Sequence, residues 1–537
     1  MSKGIVAAGS DQGAEAGAEI LRRGGNAVDA AVAAVFVSFV TEPAISTLGG
    51  GGFAAVASPG AQPALYDFFV TPPGRGRAAD PPADLDFRAI PIRYESTTCI
   101  YHAGRGSSAV PGNVAGLCAL IEERGSLPLA AVLDPAIRLA EEGYPFSPIQ
   151  AYAAGLVQPI LYHDASSRRY FTPKGHLIRV GETFSNPELA SSLKLIAREG
   201  AAVFYRGTLA DEIVRDHAEH GGLITAEDLA AYEVVRRRPL IFRYRDLDIF
   251  TNPPPSLGGI LIAYSLRLLE EIDWTALRWG DASHVALLAE TARLTHEARR
   301  RDLPQTFLEP RQWAAWLSDD ALRDAQRDLR RSAADGPGPF RGAEPRSPRN
   351  TTHVSALDGD GLAVGITTTP GETGGYSIGE TGILMNNVLG EEDLNPDGFH
   401  TFPPGGQLSS MMAPTVVTRD GLPILVAGSG GSTRLRTAMV QFMSNVIDWG
   451  MSLRDAVDRP RVHWEDGFLH LEGGADPAAA GALEAKGYSL VRWEGKSIYF
   501  GGTHVVGRLD DGTLTGAGDG RRGGAVAASE NASRAAG

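Results

Sequence analysis

Apolar and polar positions along this chain repeat with two different periods, and each period predicts its own kind of element. Over residues 12–40 the apolar positions predict two helices joined at Gly24-Gly25, with Arg22-Arg23 ending the first. Residues 27–40 form the most apolar stretch, but they contain Asp29 and are too few to span about 30 Å of hydrocarbon. This stretch therefore predicts a buried helix.

The middle third of the chain predicts mostly helices. Thr225 and Asp228 resemble a capping box, and the turn "NPPPSLGG" at 252–259 precedes another apolar helix. The helical patterns before that turn are "AVPGNVAGLCALIEERG", "LAAVLDPAIRLAEEG" and "TAEDLAAY".

After residue 350 the period becomes two, which is typical of strands. The segments "TTHVSAL" and "LAVGITTT" alternate around residues 358–361 (Asp-Gly-Asp-Gly) and predict a tight hairpin. The segment 421–434 predicts a strand that runs into a glycine-rich turn, with a helix after it. Further strands are expected near 461–472, 488–494, 498–508 and 514–517.

Threonines crowd both ends of this hairpin, at 351–352 and at 367–369. One interpretation is that branched side chains suit a pleated strand. The other is that one threonine is a nucleophile and another holds it in place. The segment 335–349, "DGPGPFRGAEPRSPR", predicts an exposed, flexible connector that ends one residue before the hairpin. Chain cleavage requires such a segment leading into a buried strand, which favours the second interpretation.

A run of four glycines, "LGGGGF" at 48–53, precedes a strand-like stretch. It lacks the Lys-Ser/Thr that follows in a P-loop, so close packing of backbones is the favoured interpretation over phosphate binding.

The bulk composition narrows the function classes. The 537 residues carry a net charge of −14, which disfavours nucleic-acid binding. No signal peptide or membrane span is recognisable, and we expect a cytoplasmic protein. Cys99 and Cys118 cannot form a disulfide framework, and His296-Glu297 lacks the second histidine of a zinc-protease helix. We expect neither a metal nor a cofactor.

Together these motifs resemble the γ-glutamyltransferase family of N-terminal-nucleophile (Ntn) hydrolases. The resemblance extends from Gly4 to about Gly524. Its motifs are "LRRGGNAVDAAVAA", Glu42-Pro43, "GGGGF", "AVPGNVAGL", "GGLITAEDLAAY", "PPPSLGG", "NTTHVSALDGDGLAVGITTT", "ETGILMNN", "LSSMMAPT" and "GSGGSTR".

The resemblance implies an α+β fold, a four-layer αββα Ntn-hydrolase sandwich. A large subunit (1–350) and a small subunit (351–537) would build it jointly as one structural domain. It also implies self-cleavage between Asn350 and Thr351, which frees the amine of Thr351. An α-amino group has a pKa of about 7.7–8.0, so it can act as the base for its own hydroxyl. The cleaved pair could assemble into a further homo-oligomer.

The remaining catalytic residues are also implied by the resemblance. Thr369 matches the threonine that orients the nucleophile. Gly431 and Ser432 match the pair whose backbone amides stabilise the oxyanion, a role that a glycine-rich turn suits.

The predicted substrate residues depart from the family pattern in part. Arg88, Ser409 and Ser410 match residues that grip the substrate carboxylate. The positions that hold the α-ammonium are occupied by Gly371, Val388 and Glu391. Because a site built for an ammonium loses much when its partners are removed, we expect a carboxylated amide rather than an ordinary γ-glutamyl amide. The short segment between Glu391 and Ser409 leaves little room for a lid loop.

Several alternatives remain open at this stage. Within the family, the enzyme could be an ordinary γ-glutamyltransferase or glutathione hydrolase. It could also hydrolyse a carbon–carbon bond in an actinobacterial pathway that makes alkylproline-type antibiotics. Outside it, Ser429 in "AGSGG" could be a serine-hydrolase nucleophile, with His463, His470 or His504 as its base. A binding protein that has lost processing is the non-enzymatic alternative.

Overall fold

The structure, a computed structural model, describes residues 3–77, 84–94, 97–302, 310–337, 350–392, 394–395 and 397–529. The predicted connector 335–349 lies outside these ranges from residue 338 onward. Within the described ranges, no helix is long and apolar enough to cross a membrane.

The described residues contain twenty strands, numbered in chain order. Strands β1 to β20 are Gly4–Ala8, Gly51–Ala57, Ala64–Phe68, Arg88–Tyr94, Thr97–Ala103, Tyr144–Pro145, Thr183–Phe184, Val235–Arg237, Leu240–Tyr244, Leu247–Thr251, Asn350–Asp358, Ala363–Gly371, Thr415–Arg419, Leu422–Gly430, Val462–Glu465, Phe468–Leu471, Ser489–Arg492, Gly502–Arg508, Leu514–Ala517 and Ala525–Ala528.

The same ranges contain eighteen α-helices and five short 3₁₀ turns. Helices α1 to α18 are Asp11–Arg22, Ala27–Thr41, Asn113–Arg124, Leu129–Glu142, Pro148–Leu156, Gln158–Leu161, Ala165–Phe171, Pro187–Glu199, Ala202–Tyr205, Thr208–Glu219, Ala226–Ala230, Leu257–Leu269, Ala282–Asp302, Pro310–Trp316, Asp319–Asp335, Arg434–Ile447, Leu453–Asp458 and Pro477–Ala485. The 3₁₀ turns are Arg105–Ser107, Trp274–Ala276, Val388–Gly390, Ile498–Phe500 and Gly520–Arg522.

Two large sheets form the centre of the molecule. The first has seven strands in the order β20-β1-β11-β12-β2-β3-β8, and the second has six in the order β19-β18-β14-β13-β10-β9. Each of these two sheets contains strands from before and strands from after the Asn350–Thr351 bond, so the two segments fold together. Three small sheets, β15-β16-β17, β4-β5 and β6-β7, lie apart from these.

The two sheets face each other across an apolar layer. Phe53 and Leu357 from the first sheet and Val416, Val426 and Val506 from the second belong to one buried cluster. On the outer face of the first sheet, α1 and α2 contact β1 and β11. On the outer face of the second, α12 and α16 contact β9 and β14. The order of layers is therefore helix, sheet, sheet, helix.

Local signals account for several of the predicted elements. The predicted helices over 12–40 are confirmed as α1 and α2. Asn26 and Asp29 form a capping box at the start of α2, where Asn26 Oδ1 accepts from the Asp29 N–H at 3.1 Å and Asp29 Oδ2 accepts from the Asn26 N–H at 2.9 Å. The capping box predicted at Thr225 and Asp228 is also present, at α11. The predicted hairpin is confirmed as β11 and β12.

Other elements differ from the prediction. The strand expected over 498–508 begins only at Gly502, because residues 498–500 form a 3₁₀ turn.

The glycine run 49–52 leads into β2 and allows backbones to approach closely, as predicted. A Cβ at Gly50 would lie 2.5 Å from the Thr369 carbonyl oxygen, and one at Gly52 would lie 2.3 Å from that of Thr367. The run therefore lets β2 lie directly against the threonine end of β12.

Candidate active site

The hairpin ladder is interrupted at the first threonine. Asn350 pairs with Gly371 and Thr352 pairs with Thr368, and the register shifts between these two pairs. Between these pairs the single residue Thr351 of β11 lies opposite two residues of β12, Thr369 and Pro370, so the extra residue of this bulge is on β12. Thr351 is only 4% exposed. The bulge therefore changes the course of β12 at Thr369, directly opposite Thr351.

The peptide bond before Thr351 is held on both sides. The Asn350 carbonyl oxygen accepts a hydrogen bond from the Thr369 hydroxyl, whose oxygen accepts in turn from the Gly371 N–H at 3.0 Å. The Asn350 side-chain amide donates to the Ala44 carbonyl at 2.9 Å and to Glu372 Oε2 at 2.7 Å. A donor placed on this carbonyl polarises it and would stabilise negative charge on its oxygen.

The glycine-rich turn after β14 faces the same strand. A Cβ at Gly430 would lie 2.1 Å from the Thr351 carbonyl oxygen, so only glycine allows this approach. The next two residues both have positive φ, 122° at Gly431 and 56° at Ser432. Within the described residues, the N–H groups of Gly431 and Ser432 donate no hydrogen bond. Two free N–H groups before the start of α16 can bind an anion or an oxyanion.

These elements enclose a narrow pocket between the two sheets. Seven of the predicted site residues line this pocket: Thr351, Thr369, Gly371, Val388, Glu391, Ser410 and Ser432. Its lining is Phe69, Thr351, Thr369, Gly371, Val388, Glu391, Leu394, Ser410, Met411, Met412, Ser432 and Leu435.

The carboxyl group of Glu391 lies next to Gly371 in this pocket. Gly371 has a φ of 73°, and a Cβ there would lie 2.3 Å from both Asn387 Oδ1 and Glu391 Oε1. Glu391 is completely buried. The carboxyl group of Glu391 therefore reaches the space that a side chain at position 371 would take.

Arg88 and Ser409 do not line this pocket. Arg88 begins β4, in the separate hairpin with β5, and it is exposed. Ser409 is partly buried beside Ser410, whose hydroxyl oxygen accepts from the Met412 N–H at 3.1 Å. Of the three predicted carboxylate ligands, only Ser410 has a side chain in contact with the pocket.

Two buried charged residues near Thr351 were not predicted as site residues. Arg522 Nη1 donates to the Thr351 carbonyl oxygen at 3.4 Å, and burial beside Arg434 lowers the pKa of Arg522 to about 10. Burial raises the pKa of Glu42 to about 7, against the opposing effects of Thr352 and Arg522. Glu42 and Arg522 both lie far from Thr351 along the chain and on other elements, so no spacing in the sequence links them to it. The only sequence signal is the Glu42-Pro43 pair.

Ser429 does not have the surroundings of a serine nucleophile. Its hydroxyl donates to the Gly430 carbonyl at 2.8 Å and accepts from the Gly502 N–H at 3.2 Å. His463 and His504 bond instead to Thr437 and to the Asp519 N–H. In the part of the chain that the structure describes, no cluster of His, Cys, Asp or Glu side chains could hold a metal ion.

Comparisons with known proteins agree with this architecture. Glutathione hydrolase proenzyme from Escherichia coli (strain K12) is 33% identical over 538 residues, covering 97% of this chain and 90% of that protein. Acylase ACY 1 proenzyme from Pseudomonas sp. (strain V22) is 33% identical over 521 residues, covering 96% of this chain and 92% of that protein. The crystal structure of cephalosporin acylase from Bacillus halodurans matches with a TM-score of 0.82 and 26% identity, covering 98% of this chain and 96% of that one.

The family-level comparison covers nearly the whole chain. The family model described as gamma-glutamyltranspeptidase matches residues 13–529. That range includes the hairpin, the glycine-rich turn and every strand of both large sheets except β1. The chain therefore belongs to the gamma-glutamyltranspeptidase (γ-glutamyltransferase) family and is an enzyme of that family.

Proposed function

We propose that this chain is a self-processing Ntn hydrolase that cuts itself between Asn350 and Thr351. The Thr351 hydroxyl attacks the Asn350 carbonyl carbon, and the acyl group moves from the Thr351 nitrogen to its oxygen. Water then hydrolyses the ester, which leaves a carboxylate on Asn350 and a free amine and hydroxyl on Thr351. The observation that carries this proposal is the Asn350 carbonyl, which the Thr369 hydroxyl already holds. Relatives named as proenzymes give further support.

The freed Thr351 would then perform the reaction on substrate. Its amine, with a pKa of about 7.7–8.0 when unperturbed, takes the proton of its own hydroxyl. The hydroxyl attacks the carbonyl of an amide, and the acyl-enzyme is released by water or by another acceptor. The free N–H groups of Gly431 and Ser432 would stabilise the oxyanion. Both segments contribute strands to each large sheet, which supports a product in which the two fragments stay together.

The acyl donor we propose is the amide of a small carboxylated molecule. The Ser410 hydroxyl offers a donor for the carboxylate inside the pocket, and Arg88 offers a charge outside it. Most of the remaining lining is apolar, with Val388 where the family pattern has an amide or acid. Such a pocket suits a hydrocarbon chain better than an ammonium group.

An ordinary γ-glutamyl donor is the second candidate, and one observation favours it. The Glu391 carboxyl group fills the space beside Gly371, so it can replace the missing side chain as a partner for an α-ammonium. A carboxylate there would also disfavour a substrate carboxylate at the same point. The two candidates therefore differ in whether Glu391 contacts an ammonium.

Processing is tested by substitution of Thr351. The chain of 56.8 kDa should yield fragments of about 37 and 20 kDa, in proportion to 350 and 187 of its 537 residues. Thr351→Ala should remain one band on a denaturing gel, and Thr351→Ser should still cut, because only the serine keeps a hydroxyl. An alanine variant that cuts at the same bond would exclude Thr351 as the nucleophile.

Substrate choice is tested with two matched anilides. A γ-glutamyl anilide and a glutaryl anilide differ only in the α-ammonium group. Each charge-assisted hydrogen bond is worth about 1.5–3 kcal/mol, or about one to two decades in kcat/KM. If the pocket has lost two such partners of the ammonium, the ratio of kcat/KM for the glutaryl anilide to that for the γ-glutamyl anilide should be about two to four decades higher than in a typical family member. A preference for the γ-glutamyl compound would establish the second candidate, with Glu391 as the ammonium ligand.

A further inference from the structure

Ser432 has two structural features that the backbone role of its turn does not explain. Ser432 has a φ of 56°, a conformation that favours glycine. The preceding residue, which also has a positive φ, is a glycine, but this position carries a serine. Its hydroxyl oxygen is buried and has no hydrogen-bond partner within the described residues. A serine here is therefore unfavourable for the backbone and leaves a polar group without a partner. Such a feature persists where it serves the reaction.

The position of Ser432 indicates what this hydroxyl can contact. Ser432 lines the same pocket as Thr351 and Thr369. The other hydroxyls in the lining besides that of Thr351 already have partners, since Thr369 bonds to Asn350 and Ser410 accepts from Met412. Two residues before Ser432, Gly430 lies against the Thr351 carbonyl. The Ser432 hydroxyl is thus a free donor at the side of the pocket where the oxyanion is expected.

We propose that the Ser432 hydroxyl donates a third hydrogen bond to the oxyanion formed when Thr351 attacks the substrate carbonyl. The inference rests on the proposed function and extends it from two backbone donors to a side-chain donor. The hydroxyl keeps its proton throughout, so no bond to it is made or broken. It stabilises the charge that develops on the substrate oxygen, and it therefore acts on the transition state more than on the bound substrate.

Self-cleavage provides an internal comparison for this role. The carbonyl attacked during self-cleavage belongs to Asn350, and its oxygen is held by the Thr369 hydroxyl on β12. The Ser432 hydroxyl lies on the turn after β14, in the other sheet. Loss of this hydroxyl should therefore slow substrate turnover while self-cleavage proceeds at its usual rate.

The neighbouring Thr433 offers a matched control. Its hydroxyl is also buried and without a hydrogen-bond partner among the described residues, but Thr433 does not line the pocket. Thr433→Val removes that hydroxyl with little change of shape. Ser432→Ala removes the other hydroxyl and keeps the Cβ at positive φ, whereas Ser432→Gly removes both. The glycine variant relieves the backbone, so it remains available should the alanine variant fold poorly.

The test measures kcat and KM of the purified, self-cleaved enzymes on the glutaryl or γ-glutamyl anilide, whichever the unmodified enzyme hydrolyses. For both Ser432 variants we expect kcat to fall about 100-fold, the usual effect of losing one oxyanion donor, with KM within about twofold. Self-cleavage of both, and both activities of Thr433→Val, should be unchanged. Unchanged kcat in Ser432→Gly, or an equal loss in Thr433→Val, would overturn the proposal. Failure of the proposed function itself would appear separately, as processing and turnover in Thr351→Ala.

Discussion

Replacing Thr369 with valine removes one hydroxyl from the proposed cleavage site and changes the shape of the side chain very little. In the structure this hydroxyl donates to the Asn350 carbonyl oxygen and accepts from the Gly371 N–H at 3.0 Å. Thr369 and Asn350 are each 6% exposed, so water cannot readily replace the lost donor. The attacked carbonyl would then develop its negative charge without this partner.

The magnitude follows from the change in charge on the acceptor. A hydrogen bond to a neutral carbonyl contributes about 0.5–1.5 kcal/mol, and one to a charged acceptor contributes about 1.5–3 kcal/mol. Donors to oxyanions in sites that exclude water reach about 2.7–4 kcal/mol. A barrier raised by about 2–4 kcal/mol slows self-cleavage about 30- to 1,000-fold. The assay is a time course on denaturing gels from the first appearance of folded precursor, with Thr369→Ser expected to cut close to the usual rate.

Thr368→Val is the matched control for this variant. The Thr368 hydroxyl is also buried on the same strand, but its single proton faces Asn113 Oδ1 at 2.8 Å, with the Gly51 carbonyl oxygen as the alternative acceptor at 3.1 Å. The control should lose about 1–3 kcal/mol of unfolding free energy because the Asn113 oxygen loses its donor, and it should cut normally. If Thr369→Val cuts at the usual rate, or if Thr368→Val slows equally, the Thr369 hydroxyl does not stabilise the attacked carbonyl and the reasoning is wrong.

Three further predictions concern stability and substrate binding. The pKa of Glu42 rises from 4.5 in the unfolded chain to about 7 in the fold, so its stabilising effect is complete below pH 4.5 and is lost as pH rises through 7. Compared with Glu42→Gln, the unmodified protein should lose about 3 kcal/mol of unfolding free energy between pH 4.5 and 8.5, and parallel pH profiles would contradict this. Gly371→Ala should lose about 2–5 kcal/mol from positive φ and the clash with Glu391, whereas Gly421→Ala, at a φ of 76° in open space, should lose only about 1–2 kcal/mol in the same denaturant titration. Arg88→Ala should raise KM for the glutaryl anilide with little effect on thermal unfolding, and an unchanged KM would leave Ser410 as the ligand of the substrate carboxylate.

Elements with strong local signals could be predicted from the sequence. The helical period, together with the cap residues Asn26 and Asp29, predicts α2, and alternation around a short turn predicts the hairpin of β11 and β12. The glycine-rich turn before α16 could also be placed, because glycines between a strand-like and a helix-like pattern have few other interpretations. These signals depend on neighbours within a few residues, and a single sequence contains them completely.

Features that depend on distant parts of the chain could not be predicted in this way. The short strand β1 pairs with β11 and with β20, which are more than 300 residues away, and its five residues show no clear alternation. The bulge of β12 opposite Thr351 depends on how the two strands of the hairpin pair, which the pattern of either strand does not reveal. The approach of Arg522 to Thr351 has the same origin, since only folding brings the 3₁₀ turn at 520–522 to this strand.

The substituted positions show a similar limit for the binding pocket. Read one at a time, Gly371, Val388 and Glu391 predict the loss of an ammonium site. In the structure the changes at 371 and 391 are coupled, because the Glu391 carboxyl lies in the space beside Gly371. A Cβ at position 371 would be 2.3 Å from Glu391 Oε1. Whether a longer carboxylate compensates for a missing side chain depends on that distance, and no substitution pattern contains it.

The position of β11 between two sources of donors would allow one hydroxyl to attack two different carbonyls, as the proposed function requires. The first carbonyl belongs to the chain itself and is held by Thr369 on β12, the neighbour of β11 within its own sheet. The second belongs to the substrate and would be held by Gly431 and Ser432, at the end of β14 in the facing sheet. Because these donors lie on different strands, breaking the Asn350–Thr351 bond would turn the first acceptor into a carboxylate without changing the second set of donors. The seven-stranded sheet also keeps its pairing across that cut, since β1 and β2, from before the bond, flank the hairpin that follows it.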